Sequence, residues 1–314
     1  MYNEFMELHT CLWNEVDAFD FEDKDLDALR VQFPNLQIRA HRSVKDFLAT
    51  AHLADFLLTW DFDRGWYQAC SRLKTILTPA AGCDWVQSDP GERVTLVRGT
   101  FHGPILAESL LGALLFMNHK MLDMLHNRQA RTWDRNLQKN TRTLANQNVL
   151  IIGYGNIGSA CAELIQSTGA AVIGVRQHVV NADNSRVSVH SIHDLENLLP
   201  WADHVILLLP GSHDTDRFMH PDRLMRMKPG SYLYNFGRGN AVASVDLLES
   251  LDHLGGAFLD VTDEEPLPAD SPLWQHDRVM ITPHSSCIYR EYKSLFIGGV
   301  ISHLQNHPCY KYFR

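Results

Sequence analysis

The fold of this chain is decided by the stretch Val149-Leu150-Ile151-Ile152-Gly153-Tyr154-Gly155-Asn156-Ile157-Gly158. Four large apolar residues that end at a glycine predict a buried strand, and residues 159–167 predict a helix. A second apolar run over 171–175 completes a strand–helix–strand unit of the length that a dinucleotide-binding fold needs. The glycines allow a tight turn and close backbone approach, and the N–H groups at the helix start can receive a pyrophosphate. We therefore predict that residues 153–158 bind a dinucleotide; the alternative is an ordinary strand-to-helix turn.

Strand and helix patterns alternate on both sides of this stretch. Before it, strands are predicted over 5–13, 36–40, 54–60 and 73–79, with helices over 24–32, 44–51 and 66–72. After it, further strands are predicted over 204–209, 231–235, 256–261 and 279–282. Together with 149–152 and 171–175 these make six parallel strands, the number in a full dinucleotide-binding sheet. This alternation predicts an α/β fold with helices on both faces of parallel sheets.

The length of 314 residues exceeds the usual size of one hydrophobic core, so we expect two domains. A long helix is predicted from Pro104 to Met121, followed by a polar, exposed stretch over 127–145. A last helix is predicted over 291–305. Because it follows the final strand of the second sheet, we expect it to return to the first domain.

Charge and cysteine usage argue against several classes of protein. The net charge of −9 argues against a nucleic-acid or anionic membrane surface, and the longest apolar run, from Leu110 to Met117, is too short to span a membrane. Glu4 and Glu7 occupy the region where a signal peptide would be basic. The six cysteines, at positions 11, 70, 83, 161, 287 and 309, form no close pair, which favours a reducing cytoplasm over a disulfide framework. No HExxH pattern groups the 17 histidines, so we expect no metal site.

Three chemically suited residues follow the glycine loop in order, each in a segment beside a strand end. Arg238 can grip a carboxylate and polarise an adjacent carbonyl, and His284 can move a proton near neutral pH. Glu265 beside the imidazolium would favour its charged form and fix its orientation. Alone, Arg238 could form a structural salt bridge, Glu265 could belong to a solvated acidic run, and His284 could be one surface histidine of many.

The ordered motifs resemble those of the D-isomer-specific 2-hydroxyacid dehydrogenases, a family that includes glyoxylate/hydroxypyruvate reductases. The matching stretches are GYGNIG at 153–158, LLLPGSHDTD at 207–216, MKPGSYLYNFGRG at 227–239, LDVTDEEPLP at 259–268 and ITPHSS at 281–286. The resemblance implies a discontinuous flavodoxin-like substrate domain over 1–98 and 289–314, and a Rossmann NAD(P)-binding domain over 99–288. It also implies a homodimer that forms through the dinucleotide domains.

The resemblance assigns roles to particular positions. Arg238 matches the substrate arginine of the family, Glu265 its carboxylate and His284 its acid/base residue. Ala81 and Gly82 follow a predicted strand, so their backbone N–H groups are expected to contact the substrate; an ordinary turn is the alternative. Besides the glycine loop and Arg176, the residues expected to contact the cofactor are Leu209, Pro210, Phe236, Gly237 and Asp260.

The choice of cofactor depends on the end of the second strand of the unit. Many relatives that use NAD have an acidic residue there, whereas this chain has Arg176, and the next carboxylate is Asp183. A guanidinium at this place would pair with a 2′-phosphate. We therefore predict a preference for NADP(H) with NAD(H) possible; the alternative is an exposed arginine in an NAD-using protein.

Together, these features predict an NADPH-dependent reductase of a small 2-oxo acid, with glyoxylate or hydroxypyruvate as the leading substrate. A formate dehydrogenase is disfavoured because that branch lacks a glutamate at the position of Glu265. The alternative from another class is a dinucleotide-sensing interaction protein, similar to the corepressors that share this fold.

Overall fold

The computed structural model describes residues 6–82, 84–137, 141–178 and 187–310. It divides into two compact units, one made of Met1–His102 with Ile288–Arg314 and the other of Gly103–Cys287. The first unit is therefore discontinuous in sequence. We predicted domain boundaries after residues 98 and 288, whereas the two units of the structure are divided after residues 102 and 287.

The first unit is built on a parallel sheet of five described strands in the order β2-β1-β3-β4-β5, which is the flavodoxin-like order. Strands β3 and β4 are buried along their whole length because both faces of the sheet are covered. The elements before the second unit are β1 (Glu7–Cys11), a 3-10 helix (Asp23–Leu26), α1 (Asp27–Gln32), β2 (Gln37–Ala40), α2 (Val44–Thr50), a 3-10 helix (Ala51–Leu53), β3 (Phe56–Thr59), a 3-10 helix (Arg64–Gln68), β4 (Thr75–Thr78) and β5 (Thr95–Arg98).

One prediction for this unit was wrong in detail, and one strand was missed. The helix predicted over 66–72 is a short 3-10 helix over Arg64–Gln68. Strand β5 was not predicted, because it is an edge strand of four residues and none of them is fully buried. A half-exposed edge strand carries too few apolar residues to stand out in the sequence.

The second unit is built on a longer parallel sheet of seven described strands, in the order β12-β11-β10-β9-β6-β7-β8. Its strands are β6 (Asn148–Ile152), β7 (Ala171–Arg176), β8 (Ser188–Ser191), β9 (His204–Leu207), β10 (Tyr232–Asn235), β11 (Gly256–Leu259) and β12 (Val279–Ile281). Its α-helices are α3 (His102–Asn118), α4 (Met121–Gln129), α5 (Asn156–Gln166), α6 (Leu195–Leu198), α7 (Pro221–Arg226) and α8 (Ser244–Ser250). Its 3-10 helices are Leu144–Asn146, Ile192–Asp194, Leu199–Trp201, His213–Thr215, Gly239–Ala241 and Pro272–Gln275.

The strand order places a topological switch point between β6 and β9. The chain runs outward from β6 to β8, then begins again at β9 on the other side of β6 and runs outward to β12. Ligands of such sheets bind at the carboxyl ends of the strands near this point. The two sheets confirm the predicted α/β class, with a Rossmann-type and a flavodoxin-like unit. The predicted count of six strands was wrong, because the polar edge strand β8 was missed.

The helix predicted from Pro104 to Met121 is divided in two. Helix α3 ends at Asn118, Lys120 has a left-handed φ of 57°, and α4 continues to Gln129. The stretch predicted to be exposed from residue 127 therefore begins inside a helix. Within the described residues, no single helix has the length and apolar composition to cross a membrane; α3 and α4 meet the test only when taken together, with a 62° bend between them.

Helix α9 (Tyr292–Asn306) follows the second unit in sequence and belongs to the first unit. Its buried residues Phe296, Ile297 and Val300 pack into the same hydrophobic cluster as Leu8 of β1 and Phe56 of β3. This helix therefore covers one face of the first sheet.

Candidate active site

Most of the predicted site residues follow the carboxyl ends of neighbouring strands in the second unit. The glycine loop follows β6, residues 209–210 follow β9, and residues 236–238 follow β10. Asp260 comes directly after β11, and His284 comes three residues after β12. Because all these strands are parallel, the loops share one edge of the sheet.

The glycine loop has two positions that exclude a side chain and one that is open. Gly153 has a φ of 102°, and a Cβ there would lie 2.5 Å from the carbonyl oxygen of Leu208. A Cβ on Gly158 would lie 2.6 Å from the carbonyl oxygen of Gly153. A Cβ on Gly155, the N-cap of α5, would meet nothing within 4 Å. The loop thus turns tightly against its own sheet and leaves open space at the helix start, which fits a pyrophosphate.

The side chains of the glycine loop do not all face this space. The ring of Tyr154 is buried in the hydrophobic core, where it lies so close to Gly174 that a Cβ there would be 2.3 Å from the ring. Ile157 is half-buried and packs against the same cluster, while Asn156 is exposed. With its ring buried, Tyr154 has only its backbone to offer to the cofactor, and the predicted contact stays a prediction.

The loops after β9 and β10 pass close to each other. A Cβ on Gly237 would lie 2.6 Å from both the backbone nitrogen and the carbonyl oxygen of Leu209, so only glycine fits there. The ring of Phe236 is buried and stacks on Phe258 with centroids 5.5 Å apart. Pro210 is exposed, and its carbonyl oxygen accepts a hydrogen bond from the Thr215 hydroxyl at 2.8 Å. At Phe236 and Gly237 it is the backbone that lies at this edge.

The backbone around Arg238 is fixed by a residue that the sequence analysis missed. The buried Asn235 donates through Nδ2 to the carbonyl oxygen of Arg238 at 3.1 Å and accepts from the Gly237 N–H at 3.2 Å. Nη1 of Arg238 donates to the carbonyl oxygen of Gly237 at 3.0 Å, and the side chain is half-buried. A polar residue at the end of an otherwise apolar strand is the signal that could have identified Asn235.

His284 and Glu265 form a direct hydrogen bond. Nδ1 of His284 lies 2.9 Å from Oε2 of Glu265, and Oε1 of Glu265 accepts from the Thr262 N–H at 3.2 Å. Because the carboxylate can only accept, we assign the proton to Nδ1. The two side chains are 41% and 39% exposed, so they lie at the surface of the second unit.

The pKa of Glu265 is lowered below its ordinary value. Partial burial acts to raise it, but the hydrogen bond and charge of His284 outweigh burial, aided by the Thr262 amide and the charge of Arg238. The carboxylate is therefore ionised at neutral pH beside the imidazole. This arrangement can hold a protonated imidazole in a fixed orientation.

Asp260 holds the loop that carries His284. Its Oδ1 accepts from the Thr282 hydroxyl at 2.6 Å and from the Ser285 N–H at 2.9 Å, and Oδ2 accepts from the Ser286 N–H at 3.2 Å. Its carbonyl oxygen accepts from the His284 N–H at 2.8 Å. Asp260 is 2% exposed, and its carboxylate accepts these hydrogen bonds from groups of the protein itself. The predicted contact between Asp260 and the cofactor stays a prediction.

A cavity of about 400 Å³ opens beside the His284–Glu265 pair, entirely within the second unit. Its lining combines these two polar residues with the apolar side chains of Leu267, Trp274 and Ile281. Among the described residues 6–82, 84–137, 141–178 and 187–310, no three His, Cys, Asp or Glu side chains are grouped to hold a metal ion.

The remaining predicted residues belong to other segments of the chain. Arg176 ends β7, is half-buried, and donates through Nε to the carbonyl oxygen of His178 at 2.5 Å. Asp183, the next carboxylate, lies outside the described residues. Ala81 and Gly82 belong to the first unit, where they follow β4 and are half-buried.

Comparison with known proteins begins with the sequence. A sequence model of the D-isomer specific 2-hydroxyacid dehydrogenase family, NAD binding domain, matches residues 111–286. Glyoxylate/hydroxypyruvate reductase A from Citrobacter koseri is 35% identical over 161 residues, which cover 49% of this chain and 50% of that protein. The chain thus spans about half the length of such curated relatives in these matches.

Solved structures match nearly the whole chain. A D-isomer specific 2-hydroxyacid dehydrogenase from Xanthobacter autotrophicus Py2, in complex with NADPH and MES, matches with a TM-score of 0.80 at 23% identity, covering 95% of this chain and 94% of that one. An NADPH-dependent glyoxylate/hydroxypyruvate reductase from Sinorhizobium meliloti, in complex with NADP and sulfate, matches with a TM-score of 0.78 at 23% identity, covering 96% and 94%. At such identities the likeness shows the fold.

The family match confirms the resemblance inferred from the motifs. Residues 111–286 make up more than half of the chain and contain the glycine loop, Arg238, Glu265 and His284. The chain therefore belongs to the D-isomer specific 2-hydroxyacid dehydrogenase family.

Proposed function

We propose that this chain reduces a small 2-oxo acid to the D-2-hydroxy acid with NADPH. The observation that carries the proposal is the 2.9 Å hydrogen bond between His284 and Glu265 beside an open cavity. An imidazole held by a carboxylate is suited to donate a proton to a carbonyl oxygen as it is reduced. Glyoxylate and hydroxypyruvate are the leading substrates, since the curated relatives include glyoxylate/hydroxypyruvate reductases.

The glycine loop, the start of α5 and Arg176 would hold the cofactor. The open space at Gly155 fits a pyrophosphate, and a guanidinium at the end of β7 is suited to a 2′-phosphate. When bound, NADPH supplies the hydride.

The remaining chemistry falls to three side chains. Arg238 would bind the substrate carboxylate and polarise the carbonyl. With Nδ1 of His284 donating to Glu265, Nε2 is the atom that would carry the proton to the new hydroxyl group. Ala81 and Gly82 are proposed as backbone contacts of the substrate carboxylate.

The proposal is tested by assaying the purified chain with NADPH and a panel of 2-oxo acids, with His284→Ala alongside. Loss of the general acid should lower kcat/KM by at least about a hundredfold while NADPH binding is retained. His52→Ala, which changes an exposed histidine of the first unit, is the matched control and should keep full activity. Activity unchanged in His284→Ala would contradict the mechanism.

The same assay separates the alternative of a dinucleotide-sensing protein. Tight binding of NADPH without turnover of any 2-oxo acid would favour a sensor over an enzyme. The net charge of −9 argues against a nucleic acid or an anionic membrane as the partner.

We propose a cytoplasmic homodimer as the working form. The free cysteines at positions 11, 70, 161, 287 and 309 favour a reducing compartment, while Cys83 lies outside the described residues. Exposed apolar side chains on α3 and α4, Leu115 and Met121, favour association through these helices. Light scattering coupled to size-exclusion chromatography tests the dimer, and a monomer would contradict it.

A further inference from the structure

The loop Pro79–Gly82 is held at its start by a set of hydrogen bonds in the first unit. The Thr78 hydroxyl accepts from the Ala80 N–H at 3.3 Å, and the Ala80 carbonyl oxygen accepts from the Gly99 N–H at 3.1 Å. The hydroxyl of Tyr292 donates to the Pro79 carbonyl oxygen at 3.1 Å. The last of these bonds is the one made by a side chain from a distant part of the chain, the start of α9.

Tyr292 is fixed in place by an aromatic cluster. Its ring is 2% exposed, and the ring centroids of Phe19, Phe101 and Trp60 lie 4.7, 5.0 and 6.1 Å away. These contacts restrict the ring, so the hydroxyl has little freedom to leave Pro79. A phenylalanine would keep the packing and lose only the hydroxyl.

His102 is the second partner of the hydroxyl. Its Nε2 lies 3.3 Å from the Tyr292 oxygen, and its Nδ1 lies 3.2 Å from the Gly99 carbonyl oxygen. Burial lowers the pKa of His102 to about 4, so the imidazole is neutral at pH 7 and carries one N–H. Because the Gly99 carbonyl oxygen can only accept, we assign this N–H to Nδ1. Nε2 then accepts from the Tyr292 hydroxyl, whose single proton is shared between Nε2 and the Pro79 carbonyl oxygen.

Gly99 closes the arrangement. A Cβ at this position would lie 2.3 Å from the Pro79 carbonyl oxygen and 2.8 Å from the His102 ring. The Pro79 carbonyl oxygen therefore lies against Gly99 and accepts from Tyr292, and the loop starts from a position set by these contacts.

We propose that Tyr292, oriented by His102, is a positioning residue that places Ala81 and Gly82 for the substrate carboxylate. The inference rests on the proposed function, in which these two residues contact the substrate. It extends that function to residues of the first unit, of which His102 precedes the second unit in sequence and Tyr292 follows it.

The test compares Tyr292→Phe with the parent protein. We expect KM for the 2-oxo acid to rise about three- to tenfold, the effect of losing one buried hydrogen bond. The Kd for NADPH should not change, because its proposed contacts lie in the second unit. Amide hydrogen exchange of the peptide that contains 79–82 should be faster in the variant. Tyr67→Phe is the matched control, since it removes another hydroxyl-to-carbonyl bond of the first unit, the part-buried bond to Gln87 at 2.9 Å.

The outcomes are distinct. A KM equal to that of the parent overturns the proposal, even if exchange becomes faster, because the contact would then hold the loop without serving the substrate. An equal rise of KM in Tyr67→Phe also overturns it, because the effect would then be one of general stability. If the parent protein turns over no 2-oxo acid, the proposed function itself fails, and the inference with it.

Discussion

Glu265→Gln is expected to lower kcat/KM for reduction of the 2-oxo acid. The carboxylate of Glu265 accepts from Nδ1 of His284 at 2.9 Å and so fixes the orientation of the imidazole that would donate the proton. Glutamine keeps the shape and can still accept through its amide oxygen, but it removes the negative charge that strengthens this hydrogen bond.

The size of the fall follows from the exposure of the pair. The two side chains are 41% and 39% exposed, so solvent screens their attraction, which we take as about 1 kcal/mol. At about 1.4 kcal/mol per factor of ten, this corresponds to a roughly fivefold fall in kcat/KM. The hydrogen bond and charge of His284 hold the pKa of Glu265 below its ordinary value, so an assay at neutral pH compares an ionised side chain with a neutral one.

The assay is kcat/KM at neutral pH in both directions of the reaction. Glu264→Gln is the matched control, because it makes the same charge change in an exposed neighbour. A kcat/KM of Glu265→Gln equal to that of the parent, or an equal fall in Glu264→Gln, would refute the pairing.

Two further predictions concern the cofactor and the backbone. Arg176→Asp should lower kcat/KM with NADPH about ten- to a hundredfold, while kcat/KM with NADH is kept or improved. Arg64→Asp is the charge control. If the ratio of kcat/KM for the two cofactors does not change in Arg176→Asp, Arg176 has no part in cofactor recognition. Gly239→Ala should lower both activity and the free energy of unfolding, because its Cβ would lie 1.7 Å from the Thr262 carbonyl oxygen. Gly112→Ala in α3, whose Cβ meets nothing within 4 Å, should instead be neutral or stabilising by up to about 1 kcal/mol in denaturant titration.

The parts of the fold that the sequence predicts are those that are buried on both sides. Strand β6 and the central strands β9 and β10 are apolar over most of their length because helices cover both faces of the sheet. The edge strands β5 and β8 escape prediction because solvent reaches them, so their residues need not be apolar. The end of α3 at Asn118 also escapes, since it depends on the left-handed conformation of Lys120, a residue type with good helix propensity.

The candidate site was predictable as a set of residue types and not as a set of contacts. Motif order identifies Arg238, Glu265 and His284, and the structure joins the last two. The order of the motifs does not reveal that the Tyr154 ring is buried, because a large aromatic side chain fits either a core or a ligand site. The partners of Tyr292 could not be predicted either, since His102 is separated from it by 190 positions.

The position of His284 illustrates how a catalytic candidate depends on a residue that its own side chain does not contact. Its φ of 50° is left-handed, a conformation that costs on the order of 1–3 kcal/mol for a residue other than glycine. The three hydrogen bonds that the buried Asp260 carboxylate accepts from Thr282, Ser285 and Ser286 lie on both sides of this residue and offset that cost. Because the carbonyl oxygen of Asp260 also accepts from the His284 N–H, a single residue at the end of β11 fixes the backbone from which the imidazole reaches Glu265. The backbone at the carboxyl ends of β11 and β12 thus sets where the imidazole starts, and the hydrogen bond between His284 and Glu265 then fixes its orientation.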